Sequence, residues 1–149
     1  MNDTVLVIAD SEQSKRAHQE LFHWSDEIYR VSEKPPLEII NNIDKGIERV
    51  HIVGTWQYIL RTATGSEEIS PGALSLLMKR IGLSDEEVQP FLNSPLDDLF
   101  YTLYYGRRFE VLRRLCHHIK RTIQEQFSHI MVDCHMVVPE RPQIVASSL

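Results

Sequence analysis

Three short apolar stretches fall within the first 55 residues, and the links between them leave room for one helix each. Val5-Leu6-Val7-Ile8-Ala9 is unbroken, rich in β-branched side chains and closed at once by Asp10. A run of that kind suits a strand covered on both faces, as in a parallel sheet. Glu12 to Phe22 follows, with Ala17 and Leu21 one helical turn apart and Ser11 placed as an N-cap. Ile28 to Val31 reads as a second strand, which Pro35 and Pro36 end because proline cannot donate to a ladder. Leu37, Ile40, Ile43 and Ile47 then recur at helical spacing, and Arg49 to Val53 supplies a third strand that stops at Gly54.

Strand, helix, strand, helix, strand with short links is the pattern of parallel β-α-β units. The expected fold is therefore α/β: a small parallel sheet from an N-terminal βαβαβ layer, a helical C-terminal half and a late edge strand. Two segments are expected, residues 1–63 and 64–149, folding as one compact unit. Residues 57–63 fit helix or strand equally well. Ser70-Pro71 opens a helix as N-cap and N1, and Ser84 to Glu87 has the form of a capping box. Leu99, Phe100, Leu103 and Tyr104 mark another helix, and Phe109 to Phe127 keeps helical spacing for about five turns. From His129 to Val138 the period switches to two, which gives the late strand, and the residues after Pro139 read as a loose tail.

A 149-residue chain with 42% hydrophobic and 25% charged residues can bury a core without metal or disulfide. Its net charge of −5 argues against a generally basic nucleic-acid or membrane binder. Two cysteines make no disulfide framework, and the N-terminal apolar run is too short for a signal peptide or a membrane span. The expectation is a soluble cytoplasmic protein.

Five features carry chemistry. The first is the rim where strands one and three end, with Asp10, Ser11, Gly54, Thr55 and Trp56. Ligands of open parallel sheets bind beyond the carboxyl ends of the strands. Gly54 would let a ligand approach the backbone, Thr55 offers a hydroxyl and Trp56 a stacking face; the bland reading has Asp10 and Ser11 capping and Trp56 in the core. No G-x-G-x-x-G follows the first strand and no P-loop occurs, so no motif names a cofactor. The element order is similar to that of phosphate-accepting receiver domains. The residues depart from that pattern: Gly54 stands where an acceptor Asp is needed, and Asp10 has no adjacent acid.

The second feature is a basic helix face. Between residues 107 and 121 stand six basic residues and one acid, and Arg107, Arg113, Arg114, His117, Lys120 and Arg121 fall on one side. Such a face fits an acidic protein partner or a nucleic-acid backbone; the alternative is a solvated surface. The third is the side chains Tyr101 and Tyr105, one turn apart and set to meet a partner or a second copy of the chain. The fourth is a helix-turn-helix spacing around Gly82, opposed by the acids Asp85, Glu86 and Glu87. The fifth is a weak metal set, His129, Asp133 and His135, on one face of the late strand; the same residues suit the outer face of an edge strand.

These features favour a non-enzymatic regulatory or protein-interaction module that works through the basic face and the tyrosines. The alternatives are a small enzyme or nucleotide-type ligand binder at the strand-end rim, and nucleic-acid binding by residues 107–121.

Overall fold

The computed structural model describes residues 4–149. Its five strands are β1 (Val5–Ala9), β2 (Tyr29–Val31), β3 (Arg49–Thr55), β4 (Met131–Val137) and β5 (Ile144–Ser147). They form one sheet in the order β2-β1-β3-β4-β5. The first four are parallel, and β5 runs antiparallel to β4. The described residues also form seven α-helices: α1 (Glu12–Phe22), α2 (Pro36–Asn41), α3 (Trp56–Thr64), α4 (Pro71–Arg80), α5 (Asp85–Val88), α6 (Leu96–Tyr105) and α7 (Phe109–Gln126). The fold is the α/β class expected, with strand and helix alternating at the N-terminus and a helical middle.

The apolar character of β1 follows from its position, because it is paired on both edges and covered on both faces. Ile8, Val50, Ile52, Val132, Cys134 and Met136 join the larger core, which takes in side chains from α2 through α7. On the opposite face Val5, Val7, Ala9, Val53 and Val137 pack with Ala17 of α1 and Ile28. Residues 57–63 are helical and lie within α3, where Tyr58, Ile59 and Leu60 are buried.

Three expectations change. The late strand lies inside the sheet, with β3 on one side and β5 on the other. The true edge is β5, built from residues that read as a tail, because a four-residue strand between Pro142 and the end carries too little pattern to announce itself. The strands of residues 1–63 and those of 64–149 also pair directly, through β3 and β4. In α1 the buried face is Ser14, Ala17 and His18, whereas Leu21 is exposed. The short polar residues face inward because α1 lies over a polar patch of the sheet.

Candidate functional site

The register of the sheet decides what meets at its carboxyl end. Ile8 pairs with Ile52 and Ala9 with Val53, so the residue after β1 comes level with the last two residues of β3. Asp10 and Thr55 therefore become neighbours. The Thr55 amide donates to Asp10 Oδ2 at 3.1 Å, and the Thr55 hydroxyl donates to the same oxygen at 3.2 Å. Ser11 caps α1 by accepting from the Ser14 amide at 3.1 Å. Chain connections leave β1 and β3 in opposite directions along the sheet, so the gap between them is its switch point.

A cleft of about 380 Å³ opens there, lined by Asp10, Ser11, Thr55, Arg61, Asp97 and Glu33 among others. A broader depression of about 550 Å³ adjoins it and shares Glu33 and Arg61. Three buried side-chain polar atoms lack a hydrogen-bond partner among the described residues: Asp10 Oδ1, Asp97 Oδ1 and His51 Nε2. Two of the three belong to Asp10 and Asp97, residues that line this one cleft. Asp97 comes from the first turn of α6, a position that spacing within the N-terminal layer could not foretell.

Gly54 and Trp56 do other work than expected. A Cβ on Gly54 would lie 2.3 Å from the Tyr58 ring and 3.2 Å from Asp10 Cγ, so the glycine makes room for protein atoms. Trp56 is fully buried, and its indole N–H donates to the Leu96 carbonyl at 2.9 Å, so it presents no stacking face. The Tyr58 hydroxyl is held well above its ordinary pKa, chiefly by burial and further by Asp10.

The basic face is partly spent on the fold. Arg108 pairs with Glu87 at 2.8 Å and Glu110 at 2.6 Å. Arg114 donates to the Ile81 carbonyl at 3.3 Å, with its guanidinium against Gly82, and Lys120 pairs with the buried Asp133 at 3.1 Å. Arg107, Arg113, His117 and Arg121 stay exposed, and the three arginines make no ion pair among the described residues. Tyr105 is 74% exposed, and its ring lies 6.0 Å from that of Tyr101 in a stacked pair.

The metal set expected on the late strand separates. His129 lies in an exposed turn before β4 and joins nothing. Asp133 and His135 are buried, because α1 covers that face. In the register His51 pairs with Asp133 and Val53 with His135, which sets His51 diagonally next to His135 on that face. His18 descends from α1 to meet both. His51 Nδ1 lies 3.0 Å from His18 Nε2 and 2.9 Å from His135 Nε2. The far nitrogens of two of these rings have their own partners: His18 Nδ1 lies 2.5 Å from the Tyr29 hydroxyl, and His135 Nδ1 lies 2.9 Å from Ser147 Oγ. Asp133 Oδ2 lies 3.9 Å from His51 Nε2.

Burial is the main cause that holds these rings neutral. It brings His18 down to about 2, aided by His135 and His51. His51 falls to about 4 against the opposing pull of Asp133, and His135 falls to about 3 with help from His51. Sequence reading missed His18 and His51. The signal for the strand members was present in RVHIV and in VDCHMVV, where His51, Asp133 and His135 stand between apolar residues, but only the register tells which of them touch.

No family model matches this chain, and neither the curated proteins nor the solved structures hold a match to it. No helix among the described residues is long and apolar enough to cross a membrane.

Proposed function

We propose that this chain is a regulatory module that binds a small hydrogen-bond-donating ligand in the cleft between the ends of β1 and β3. The observation that carries this reading is that two aspartates lining one concave site at the switch point, Asp10 and Asp97, each hold a buried carboxylate oxygen without a partner among the described residues. A buried acceptor without a donor costs free energy on the order of 1–3 kcal/mol, which a ligand amino or hydroxyl group would recover on binding. Asp10, Glu33 and Asp97 stand against Arg61 alone, so the lining repels a phosphate-rich ligand and favours an amine or a polyol.

The test is a thermal-shift and NMR panel of small amines, polyols and nucleosides on the full chain, repeated with Asp97→Asn. Binders are expected to lose at least tenfold in affinity on that substitution. A panel without a binder, or binders that hold to Asp97→Asn unchanged, removes the reading. Asp10→Ala is the wrong probe, because it also deletes both hydrogen bonds to Thr55.

A second reading is favoured by the exposure of Tyr105 beside the free arginines: an acidic protein partner docks on Tyr105, Arg107, Arg113 and Arg121. Changing Arg107, Arg113 and Arg121 together to Glu should abolish capture of that partner without unfolding the chain. Arg114 is left intact, because it anchors α7 to Ile81. Binding of RNA by the same face would instead fall steeply with salt.

A further inference from the structure

We propose that His18, His51 and His135 form a buried three-histidine site for a first-row divalent metal ion, with zinc as the expected occupant. His51 Nδ1 faces two other ring nitrogens at 2.9 and 3.0 Å, and the three ligand atoms lie within 4.8 Å of one another. All three side chains are buried.

Hydrogen bonding alone does not satisfy this arrangement. An sp² ring nitrogen has one lone pair or one hydrogen. If His51 Nδ1 is bare, two N–H donors compete for its single lone pair, and His51 must carry its hydrogen on Nε2, which is buried without a hydrogen-bond partner. If His51 Nδ1 is protonated, one neighbour is left facing it without a partner. The two branches, Tyr29 to His18 and His135 to Ser147, also end on the same atom, so they do not join into a proton wire through the His51 ring.

A metal ion resolves the conflict. His18 Nδ1–H then donates to the Tyr29 hydroxyl and His135 Nδ1–H to Ser147 Oγ, while His51 Nε2–H points to the Asp133 carboxylate, long in this geometry at 3.9 Å. Each ring thereby turns a lone pair toward the common centre. Outer partners of this kind are what fix the tautomer of metal-bound imidazoles. Tetrahedral zinc with Zn–N of about 2.0–2.1 Å sets its ligand nitrogens roughly 3.3 Å apart. The two contacts to His51 Nδ1 would open by a few tenths of an ångström, while His18 Nε2 and His135 Nε2 would settle to the same spacing from a separation of at most 4.8 Å. Three imidazoles without a thiolate or a coordinating carboxylate suit zinc and its borderline neighbours rather than magnesium or calcium. Phe22 and Trp24, with ring centroids about 5 Å from that of His51, wall the site and are half-buried, as is Tyr29.

The experiment strips the full chain with chelator and titrates it with zinc and, separately, with cobalt. Expected are one tight zinc per chain by elemental analysis, a raised melting temperature, and the visible absorption of a low-coordinate cobalt site. His51→Gln should abolish all three, whereas His117→Gln with His129→Gln, both exposed, should keep them. Should His51→Gln fail to fold, Tyr29→Phe decides: it removes only an outer partner, and zinc affinity should drop 10–100-fold. A chain that takes up no zinc, zinc retained in folded His51→Gln, or affinity unchanged in Tyr29→Phe overturns the site.

Discussion

At the scale of single residues, the strand-end cleft depends on an absent side chain. Gly54 sits where β1 and β3 end, with the Tyr58 ring filling the space a Cβ would need. Nothing in its backbone demands glycine, since its φ is not among the positive values of the chain. The demand is one of volume. Gly54→Ala forces Tyr58 and Asp10 apart, and overpacking of this kind costs about 1–3 kcal/mol. Chemical denaturation should report that loss, and Gly54→Ala with Tyr58→Leu should recover part of it. An unchanged midpoint in the single variant would mean that Tyr58 swings aside freely. Asp10 shows the complementary case. One of its oxygens is fully used on Thr55 and the other on nothing, so Asp10→Asn should lower stability modestly, while Asp97→Asn, whose Oδ1 has no partner to lose, should leave it unchanged or raise it.

At the scale of elements, local signals and long-range ones separate cleanly. Ser84 accepts from the Glu87 amide at 3.2 Å while Glu87 accepts from the Ser84 amide at 3.1 Å, the reciprocal cap that the spacing of those two residues spells out. Ser11, Ser70 and Pro71 were legible in the same way, because a cap is settled within four residues. The parallel order of β1 and β3 was legible as well, since a short helical link leaves little choice of direction, and with it came the meeting of Asp10 and Thr55. Contacts that depend on how a helix lies across the sheet were not. Asp97 in the cleft and His18 against His51 and His135 depend on how α6 and α1 lie over the sheet, which no local period encodes. Arg108 illustrates the same limit: it reads as one of the six basic residues between 107 and 121, yet it bridges Glu87 and Glu110. Its guanidinium is the first cause that holds both carboxyls below the ordinary value of 4.5. A carboxyl whose pKa is lower folded than unfolded adds stability above its unfolded value and loses it as pH falls through the folded one. Arg108→Gln should therefore be less stable than the parent chain at pH 7, by an amount that shrinks with salt, and the difference should fade as acid carries both carboxyls through their lowered values. A gap that persisted once both carboxyls are protonated would assign the role of Arg108 to packing instead.

At the scale of the whole molecule, the sheet carries two candidate sites, one at its carboxyl end and one on the face under α1, and β5 is the element that closes it. Without β5, the outer edge of β4 would present unpaired backbone groups along MVDCHMV, a stretch with no proline or lysine to discourage strand addition. The residues at the end of β5 also reach inward. Ser148 Oγ accepts from the Cys134 amide at 2.8 Å and donates to Asp133 Oδ1 at 3.0 Å, and Ser147 Oγ meets His135. Ser148→Ala leaves the buried Cys134 amide without an acceptor, which should cost about 1–3 kcal/mol. Lys120 still holds Asp133, so the charge stays paired. Deleting residues 143–149 removes the cover and both serines together, and its effect should differ in kind: concentration-dependent association, seen by light scattering, with β4 as the new contact edge. Introducing Met136→Lys into the deleted chain would not separate the causes, because Met136 faces the larger core. Met131→Lys would, since Met131 is exposed at the start of β4 and a lysine there discourages pairing without disturbing the interior. Association suppressed by Met131→Lys would trace the self-contact to the bared strand, whereas association that persists would trace it to loosening of the core around Asp133 and His135.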